Sequence, residues 1–371
     1  MKSAVKLHLD PHRVLGLDIL RAAAILFVII DHGGLLLTPE LRKWTDWMVF
    51  DGVSVFFALS GFLIGGILIK LLEKGGKFDL LDFWKRRWYR TLPNYFLVLT
   101  LVLLIEVLFS DRFDASIAAP YFVFFQNFNT IHPIFFPEAW TLSVEEWFYL
   151  FVPLLIFLQW NYLKISSRAA ILITAITLIT VVTSYRYIQF LNYTEISEEL
   201  WDNVFRKQVL GRLDGIMFGV LAAYVYHYKP EAWNRFPKVL LIFGCVLYLS
   251  SKFLLPVLMP KIGIFQAVFS FTFNSIAAIC LLPFLSKYKP RPGFIPSVIT
   301  FVSVHSYAMY LINLSLVQTW ILRKIPWHLF IESRAWKGGI RYLLYWCLVF
   351  GISHLIYTYF ETPMTKLRDR K

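Results

Sequence analysis

The chain has 371 residues, of which 58% are hydrophobic and only 16% are charged. Because soluble domains are about half apolar and about a quarter charged, this composition excludes an ordinary soluble protein. The net charge of +13 would suit a nucleic-acid-binding protein, but basic cytoplasmic loops account for it in a membrane protein, so no nucleic-acid partner is predicted.

Long apolar runs recur along the whole chain, and the longer ones approach the ~20 residues that a helix needs to span a bilayer. The first run is too long for a cleaved signal peptide, which predicts a retained first span. The sequence therefore predicts an all-α, polytopic membrane protein, with one membrane domain over residues 1–371 and no separate soluble domain. The ten predicted spans are 15–37, 49–71, 89–109, 143–160, 168–190, 209–228, 237–255, 265–286, 296–322 and 339–360.

The basic residues predict the orientation of these spans. With the N-terminus on the cytoplasmic side, 22 of the 37 Lys and Arg residues fall in cytoplasmic segments. This positive-inside bias predicts that both termini lie in the cytoplasm. The expected location of the protein is the cytoplasmic (inner) membrane. The outer segment 323–341 departs from the bias with five basic residues, which leaves open that a helix is misplaced there.

Ionisable residues interrupt the first span at Asp18, Arg21, Asp31 and His32. Such residues are costly in a bilayer and are functional candidates by default. Arg21 and His32 are eleven residues apart, so on a helix they lie within ~20° of each other and ~16 Å apart along the axis. Asp18 joins the same polar stripe, which must face protein or water instead of lipid. The alternative is that Arg21 only pairs with Asp18 and that His32 is an interfacial residue.

A basic cluster, Arg86, Arg87 and Arg90, opens the third span on the cytoplasmic side. In a helix, spacings of three and four residues put these guanidinium groups on one face. Arginine binds phosphate groups in a bidentate manner, which favours a site for phosphates or a pyrophosphate. The alternative is ordinary anchoring by positive-inside charges.

Two carboxylates stand at the start of the fourth span, on the outer side. Ser143 and Glu146 have the spacing of a capping box, so the Glu146 carboxylate is expected to bond back to the start of the helix. Glu145 has no such role. It lies at the same predicted depth as His32, where a carboxylate can orient an imidazole and stabilise its protonated form.

Arg212 and Asp214 stand at the outer start of the sixth span. Two residues apart on a helix, they point in different directions and are not expected to pair with each other. Either is a candidate for contact with a substrate, and the alternative is a pair of interfacial charges at a helix end.

Together, these motifs resemble the bacterial acyltransferase-3 family of integral membrane acyltransferases. Arg21-x10-His32 is similar to the first-helix signature of that family, and Arg87-x-x-Arg90 is similar to the core of its third-helix entry. The resemblance covers essentially the whole chain, and the ordered set of motifs carries it. The other matching segments are 56–64, 86–93, 126–128, 140–149, 212–214 and 360–363.

Two positions depart from the family pattern. Asn313 stands where many members have His, and Trp147 follows the paired glutamates where Gln is expected. Both departures bear on the acceptor pocket, because the second His is a candidate for catalysis in the members that have it.

The resemblance implies transfer of an acyl group, usually acetyl, from a coenzyme A thioester to a hydroxyl of a sugar or polysaccharide. His32 is then expected to act as the general base or to accept the acyl group itself, oriented by Glu145 with Asp31 or Glu146 as substitutes. The expected donor contacts are Arg21, Arg86, Arg87 and Arg90. The expected acceptor contacts are Asp18, Trp140, Ser143, Arg212 and Asp214.

The expected partners are acyl-CoA, a carbohydrate or glycan acceptor and the lipid bilayer. No metal is expected, because the three cysteines and the isolated histidines lack ligand spacing. A rival interpretation is a transporter or flippase for a lipid-linked or acylated sugar, which intramembrane charges would also suit. Against it, the sequence has neither inverted repeats nor paired broken helices.

Overall fold

The computed structural model describes residues 13–73, 79–110, 113–259 and 261–367. Within them the chain is 82% helical and has no strand. The long helices are α1 Leu15–Gly34, α2 Pro39–Met48, α3 Gly52–Glu73, α4 Leu80–Phe109, α5 Trp140–Asn161, α6 Ser167–Leu191, α7 Leu213–Tyr228, α8 Pro237–Leu258, α9 Phe265–Leu285, α10 Phe294–Leu322 and α11 Arg334–Leu367.

The prediction of an all-α polytopic membrane protein is confirmed. In the described part of the chain, eight helices are long and apolar enough to cross a membrane. Two further helices occupy predicted spans: α1, which is 20 residues long and carries Asp18, Arg21 and Asp31, and α7, which has only 16 residues. The charges of α1 make it a poor lipid-facing helix, and it lies against α3 and α10 instead.

Glycines let α3 and α7 approach closely. A Cβ added at Gly61 would overlap the carbonyl oxygen of Ile216, and one at Gly219 would overlap that of Ala58. Helices in lipid are not held together by a hydrophobic driving force. Small residues at a crossing allow close van der Waals packing between them instead. The α3–α7 pair is therefore a tight centre around which the other helices pack.

Two large apolar clusters fill most of the interior of the described residues, and a smaller third one includes Phe205 and Phe271. One of the large clusters is built mainly on α3, α5, α6, α7 and α9, and the other on α1, α4, α10 and α11. Phe56 of α3 packs against both large clusters. The border between the clusters is where the polar side chains of several helices meet.

The helix boundaries correct three expectations. Helix α4 begins at Leu80 and not near residue 89, with Asp79 as its N-cap, so the arginine cluster lies inside the helix. Helix α5 begins at Trp140, so Ser143 is not its N-cap, and the predicted capping box is wrong. An additional amphipathic helix, α2, occupies the segment expected to be a loop between the first two spans.

Candidate active site

A cavity of about 520 Å³ opens between α1, α3, α4, α5, α10 and α11. It contains more cationic than anionic side chains. The cations are Arg13, Arg21, Arg87, Arg90 and Lys366, and the carboxylates are Glu145 and Glu361. Hydroxyl groups from serine, threonine and tyrosine residues supply most of its other polar atoms. Such a lining suits a ligand that carries several negative charges.

The cavity brings together three of the four predicted donor contacts. Arg21 reaches it from α1, and Arg87 and Arg90 reach it from α4. Arg86 does not line the cavity, and its exposed guanidinium forms an ion pair with Asp82 at 2.7 Å. Arg86 and Arg90 lie one turn apart on α4, but of the two only Arg90 lines the cavity.

Asp18 is buried and its carboxylate is engaged within the protein. Arg13 donates to both of its oxygens at 2.6 Å, and the Ser303 hydroxyl donates to one of them at 2.7 Å. Arg21 is more distant, at 3.8 Å. This arrangement does not fit the substrate contact predicted for Asp18. It also means that Arg13, which the sequence reasoning missed, is the main partner of Asp18, while Arg21 is directed to the cavity.

Glu145 belongs to the cavity and not to His32. Its carboxylate accepts hydrogen bonds from the Tyr149 hydroxyl at 2.7 Å and from the Ser60 hydroxyl at 3.3 Å. Arg87 and Arg90 act on it electrostatically. The predicted pairing of Glu145 with His32 is therefore wrong, because this turn of α5 faces α3 and α4.

Glu146 is buried next to α4. Its carboxylate accepts a hydrogen bond from the Thr91 hydroxyl at 2.8 Å, in place of the predicted bond back to its own helix start. Thr91 itself lines the cavity, so Glu146 supports the cavity wall from behind.

His32 is held by Asn313. The ring atom Nδ1 lies 2.6 Å from Asn313 Oδ1, which also accepts a hydrogen bond from the Tyr345 hydroxyl at 3.3 Å. The Asn313 amide nitrogen donates to the carbonyl oxygens of Met309 and Tyr310. Those two bonds use both amide hydrogens, so the acceptor oxygen must be the atom that faces the imidazole.

The tautomer of His32 follows from this contact. Since Asn313 Oδ1 can only accept, a hydrogen must reside on Nδ1 of His32, and in the neutral imidazole the lone pair is then on Nε2. The backbone carbonyl of His32 is also fixed, because Gln318 Nε2 donates to it at 2.5 Å. His32 is thus held at its ring and at its backbone, in the orientation that makes Nε2 the basic nitrogen of the neutral form.

Charges surround this end of α1. Asp31, Arg206 and Lys207 all act electrostatically on His32. Arg206 forms an ion pair with Asp202 at 2.6 Å. Burial opposes the ionisation of Asp202, yet Arg206 and Lys207 hold the pKa of its carboxyl below the ordinary value. Asp31, which was predicted as a substitute for Glu145 in orienting His32, acts on the imidazole electrostatically, while the orienting contact comes from the Asn313 amide.

Trp140 and Ser143 are buried in the first turns of α5. The Trp140 ring meets the Phe57 ring edge to face at 6.3 Å, and the guanidinium of Arg206 lies 5.3 Å from it. The Ser143 hydroxyl accepts a hydrogen bond from the Gln126 side chain. Ser143 is therefore engaged within the protein, while Trp140 lies between the cavity wall and the charges near His32.

Arg212 and Asp214 do not pair with each other, as their spacing predicted. Asp214 forms an ion pair with Arg186 at 2.7 Å, and both side chains are only 1% exposed. The Arg212 guanidinium lies over the rings of Phe57 and Phe271, and its buried Nε and Nη1 atoms have no hydrogen-bond partner among the described residues. Arg186 was missed, although the rule that identified Arg21, a charge inside an apolar span, applies to it equally.

Further polar groups were missed because their partners are distant in sequence. Glu361 lines the cavity and accepts a hydrogen bond from Asn94 at 2.6 Å. Glu138 is buried against α10, where it accepts hydrogen bonds from the Leu314 and Ser315 amides. In the described part of the chain, no group of three or more His, Cys, Asp or Glu side chains is arranged to hold a metal ion.

Known proteins that are similar to this chain include three that are named O-acetyltransferases. The O-acetyltransferase OatA of Staphylococcus aureus is 34% identical over 163 residues, which cover 40% of this chain and 25% of the relative. The peptidoglycan O-acetyltransferase OatA of Listeria monocytogenes is 34% identical over 163 residues, covering 39% of this chain and 24% of the relative. The putative peptidoglycan O-acetyltransferase YrhL of Bacillus subtilis is 33% identical over 188 residues, covering 46% and 28%.

The matched region spans about a quarter of the length of each of these relatives. No solved structure matches the chain. The model of a family described as an acyltransferase domain matches residues 14–360, nearly the whole chain. The chain therefore belongs to the acyltransferase-3 family of membrane acyltransferases.

Proposed function

We propose that this protein transfers an acetyl group from acetyl-CoA, supplied from the cytoplasm, to a hydroxyl of a cell-envelope glycan. The observation that carries the proposal is the cationic cavity lined by Arg21, Arg87 and Arg90, together with the imidazole of His32 that Asn313 holds further along α1. Names of relatives support the acceptor class, since two of them are called peptidoglycan O-acetyltransferases. The protein is proposed to lie in the cytoplasmic membrane with both termini in the cytoplasm.

The donor is proposed to bind with its nucleotide at the cationic end of the cavity. Arg87, Arg90 and Arg21 provide charge-assisted hydrogen bonds for its phosphates, and Lys366 adds a further positive charge. Glu145 and Glu361 keep the cavity from being uniformly positive, so they favour a donor with amine or hydroxyl groups beside its phosphates. Fixed carboxylates of this kind also orient the arginine side chains before the donor arrives.

The acyl end of the donor is proposed to reach the neighbourhood of His32. Tyr310 lines the cavity at the other end and lies one turn of α10 before Asn313, the partner of His32. The ~16 Å between Arg21 and His32 along α1 suits a long flexible arm that carries the thioester from the phosphates to the base. The cavity thus separates donor recognition from the chemistry, at opposite ends of one helix.

His32 is proposed to act as the general base. Its Nε2 takes the proton of the acceptor hydroxyl while the hydroxyl oxygen attacks the thioester carbonyl. The carbon–sulfur bond breaks, and the proton returns from the imidazolium to the departing thiolate, which leaves as coenzyme A with a free thiol. Asn313 prevents the imidazole from turning, so Nε2 faces the reactants throughout.

The acceptor is proposed to enter from the end of the bundle where Arg206, Arg212 and Trp140 lie. Arg212 supports this because its buried Nε and Nη1 atoms lack a partner in the part of the chain that the structure describes, and buried donors in that state are costly unless a ligand or water satisfies them. Trp140 offers an aromatic surface beside it. Asp214, by contrast, is proposed to act through Arg186 as part of the scaffold.

The proposal is tested with purified protein in liposomes, incubated with acetyl-CoA labelled in the acetyl group and with glycan fragments. Acyl transfer predicts release of free thiol together with labelled glycan. The rival transporter or flippase predicts movement of a lipid-linked sugar across the vesicle membrane without thioester cleavage. Thiol release that is independent of added glycan would instead identify a thioesterase and contradict the proposed acceptor.

A further inference from the structure

Helix α10 changes its winding next to His32. It is an α-helix from Phe294 to Ile312 and a π-helix from Asn313 to Leu322. At the junction, Ile312 has φ −107° and ψ −16°, away from the ordinary helical values near about −63° and −42°. Turns of π-helix occur frequently at functional sites, and among the several π segments of the described residues this one contacts His32, which makes the junction a candidate device.

The winding decides which side chains of α10 share a face. Asn313 and Gln318 are five residues apart, which in an α-helix would place them about 140° apart. In a π-helix the hydrogen bonds join residues five apart, so the two side chains stand above one another. Asn313 Oδ1 contacts the His32 ring at 2.6 Å, and Gln318 Nε2 contacts the His32 carbonyl oxygen at 2.5 Å. The π turn thus lets one helix hold both the side chain and the backbone of His32.

Glu138 satisfies the groups that the change of winding disturbs. One carboxylate oxygen accepts hydrogen bonds from the Leu314 amide at 3.0 Å and the Ser315 amide at 2.6 Å, and the other accepts one from the Ser315 hydroxyl at 2.5 Å. The Tyr310 carbonyl, which Leu314 would use in a regular α-helix, accepts a hydrogen bond from Asn313 Nδ2 instead. Glu138 is only 1% exposed, so its carboxylate is stable there only because these donors are present.

We propose that Glu138 is a positioning residue for acyl transfer: it stabilises the π turn that aligns Asn313 and Gln318 with His32. The inference rests on the proposed function in one respect, the role of His32 as the base. Glu138 itself does not contact the reacting groups. Its contribution is transmitted through the backbone of Leu314 and Ser315 to Asn313.

The first test compares Glu138→Gln with Glu106→Gln. Glutamine keeps the shape of Glu138 but removes its negative charge, so the Leu314 and Ser315 amides lose a charged acceptor. Glu106 is a matched control, because it accepts a hydrogen bond from Trp320 of the same π segment, away from the junction. Glu138→Gln should lower kcat about 10- to 100-fold and leave the KM for acetyl-CoA nearly unchanged, whereas Glu106→Gln should leave both nearly unchanged.

A second comparison isolates the route through Asn313. In an Asn313→Leu background, Glu138→Gln should lower kcat by clearly less than it does alone, because the Asn313 contact is already absent and only the Gln318 contact is left to align. If the losses in kcat of the two single variants multiply in full in the double variant, the proposal is wrong. If Glu138→Gln does not yield monodisperse protein, Ser315→Ala removes a single donor to the same carboxylate and should show a smaller loss in kcat alone.

The state of the His32 ring gives a readout that does not need acyl transfer. Nitrogen-15 NMR of histidine-labelled protein in lipid nanodiscs, with His32→Gln to assign the signal, should show Nδ1 protonated in the native protein and in Glu106→Gln. Glu138→Gln should give a mixture of tautomers. If Glu138→Gln has the kcat and the His32 tautomer of the native protein, this inference is wrong and the proposed function is unaffected. If the native protein itself shows no acyl transfer, the proposed function is wrong.

Discussion

His32 Nδ1 lies 2.6 Å from Asn313 Oδ1, and this contact assigns the roles of the two ring nitrogens. In enzymes that use a histidine base, a carboxylate commonly holds the ring and stabilises its protonated form. Here a neutral amide fixes the tautomer without adding a negative charge at that nitrogen. The position at which the sequence departs from its family, Asn313, thus becomes the group that orients the predicted base.

Replacing Arg87 and Arg90 together with methionine should weaken donor binding. Each charge-assisted hydrogen bond contributes about 1.5–3 kcal/mol, so the loss of two should raise the KM for acetyl-CoA at least about 100-fold. S-acetyl-pantetheine lacks the nucleotide phosphates of coenzyme A, so with that donor the double variant and the native protein should have similar KM values. The measurement is initial rates with the two donors.

Arg86→Met is the matched control for this experiment. Its guanidinium is exposed and pairs with Asp82, so its loss should change the KM for acetyl-CoA little. An equal loss of activity with both donors in the double variant would point to a folding role for Arg87 and Arg90 and would contradict phosphate recognition.

Gly61→Ala should destabilise the bundle. The added Cβ would overlap the carbonyl oxygen of Ile216, so α3 and α7 would have to separate along their whole contact. Overpacking of this kind costs about 1–3 kcal/mol or more. Thermal unfolding in detergent should show a lower midpoint for Gly61→Ala. Gly351→Ala is the control, because a Cβ there meets nothing within 4 Å, and its midpoint should not fall.

Arg186→Met should destabilise the protein by leaving the Asp214 carboxylate buried without its cation. Breaking a buried pair by removing one partner costs about 3–5 kcal/mol, whereas replacing both partners with apolar residues is much less costly. The double variant Arg186→Met/Asp214→Leu should therefore recover much of the midpoint lost in the single variant. If Asp214 bound the acceptor instead, the double variant would regain stability and lose affinity for the glycan.

His132 should make folding sensitive to acid. Burial, with a further contribution from Lys207, lowers the pKa of this imidazole from 6.5 to about 3. Between these values the unfolded chain binds a proton that the native state does not, so the free energy of unfolding falls as pH decreases, by up to about 1.4 kcal/mol per pH unit. His132→Gln should remove that part of the pH dependence of thermal unfolding below pH 6.5. His328→Gln, at an exposed histidine, should retain it.

Composition and hydropathy were sufficient to predict the fold class, because a bilayer demands long apolar helices and leaves few alternatives. Helical periodicity also placed Arg21 on a polar stripe, and Arg21 does line the cavity with Arg87 and Arg90. Partners were harder to predict. The sequence does not show whether Glu145 or Asn313 contacts His32, because that depends on the rotation of α5 relative to α1.

Predictions from local sequence patterns were wrong where a side chain bonds to another helix instead of to its own. The capping box of Ser143 and Glu146 is a local pattern, but α5 begins one turn earlier and Glu146 bonds to Thr91 on another helix. The π turn at Asn313 has no recognisable signature in the sequence, since its stabilising group, Glu138, lies on a distant segment. Such features follow from packing between elements and not from the local sequence.

The central claim is that His32 is the base in acyl transfer. The most direct test measures transfer of labelled acetyl from acetyl-CoA to glycan in liposomes that hold equal amounts of native protein and His32→Gln. General base catalysis contributes roughly 10²- to 10⁴-fold, so the variant should lose at least about 100-fold in kcat while it binds acetyl-CoA with native affinity. Transfer by His32→Gln at a rate near that of the native protein would contradict the account.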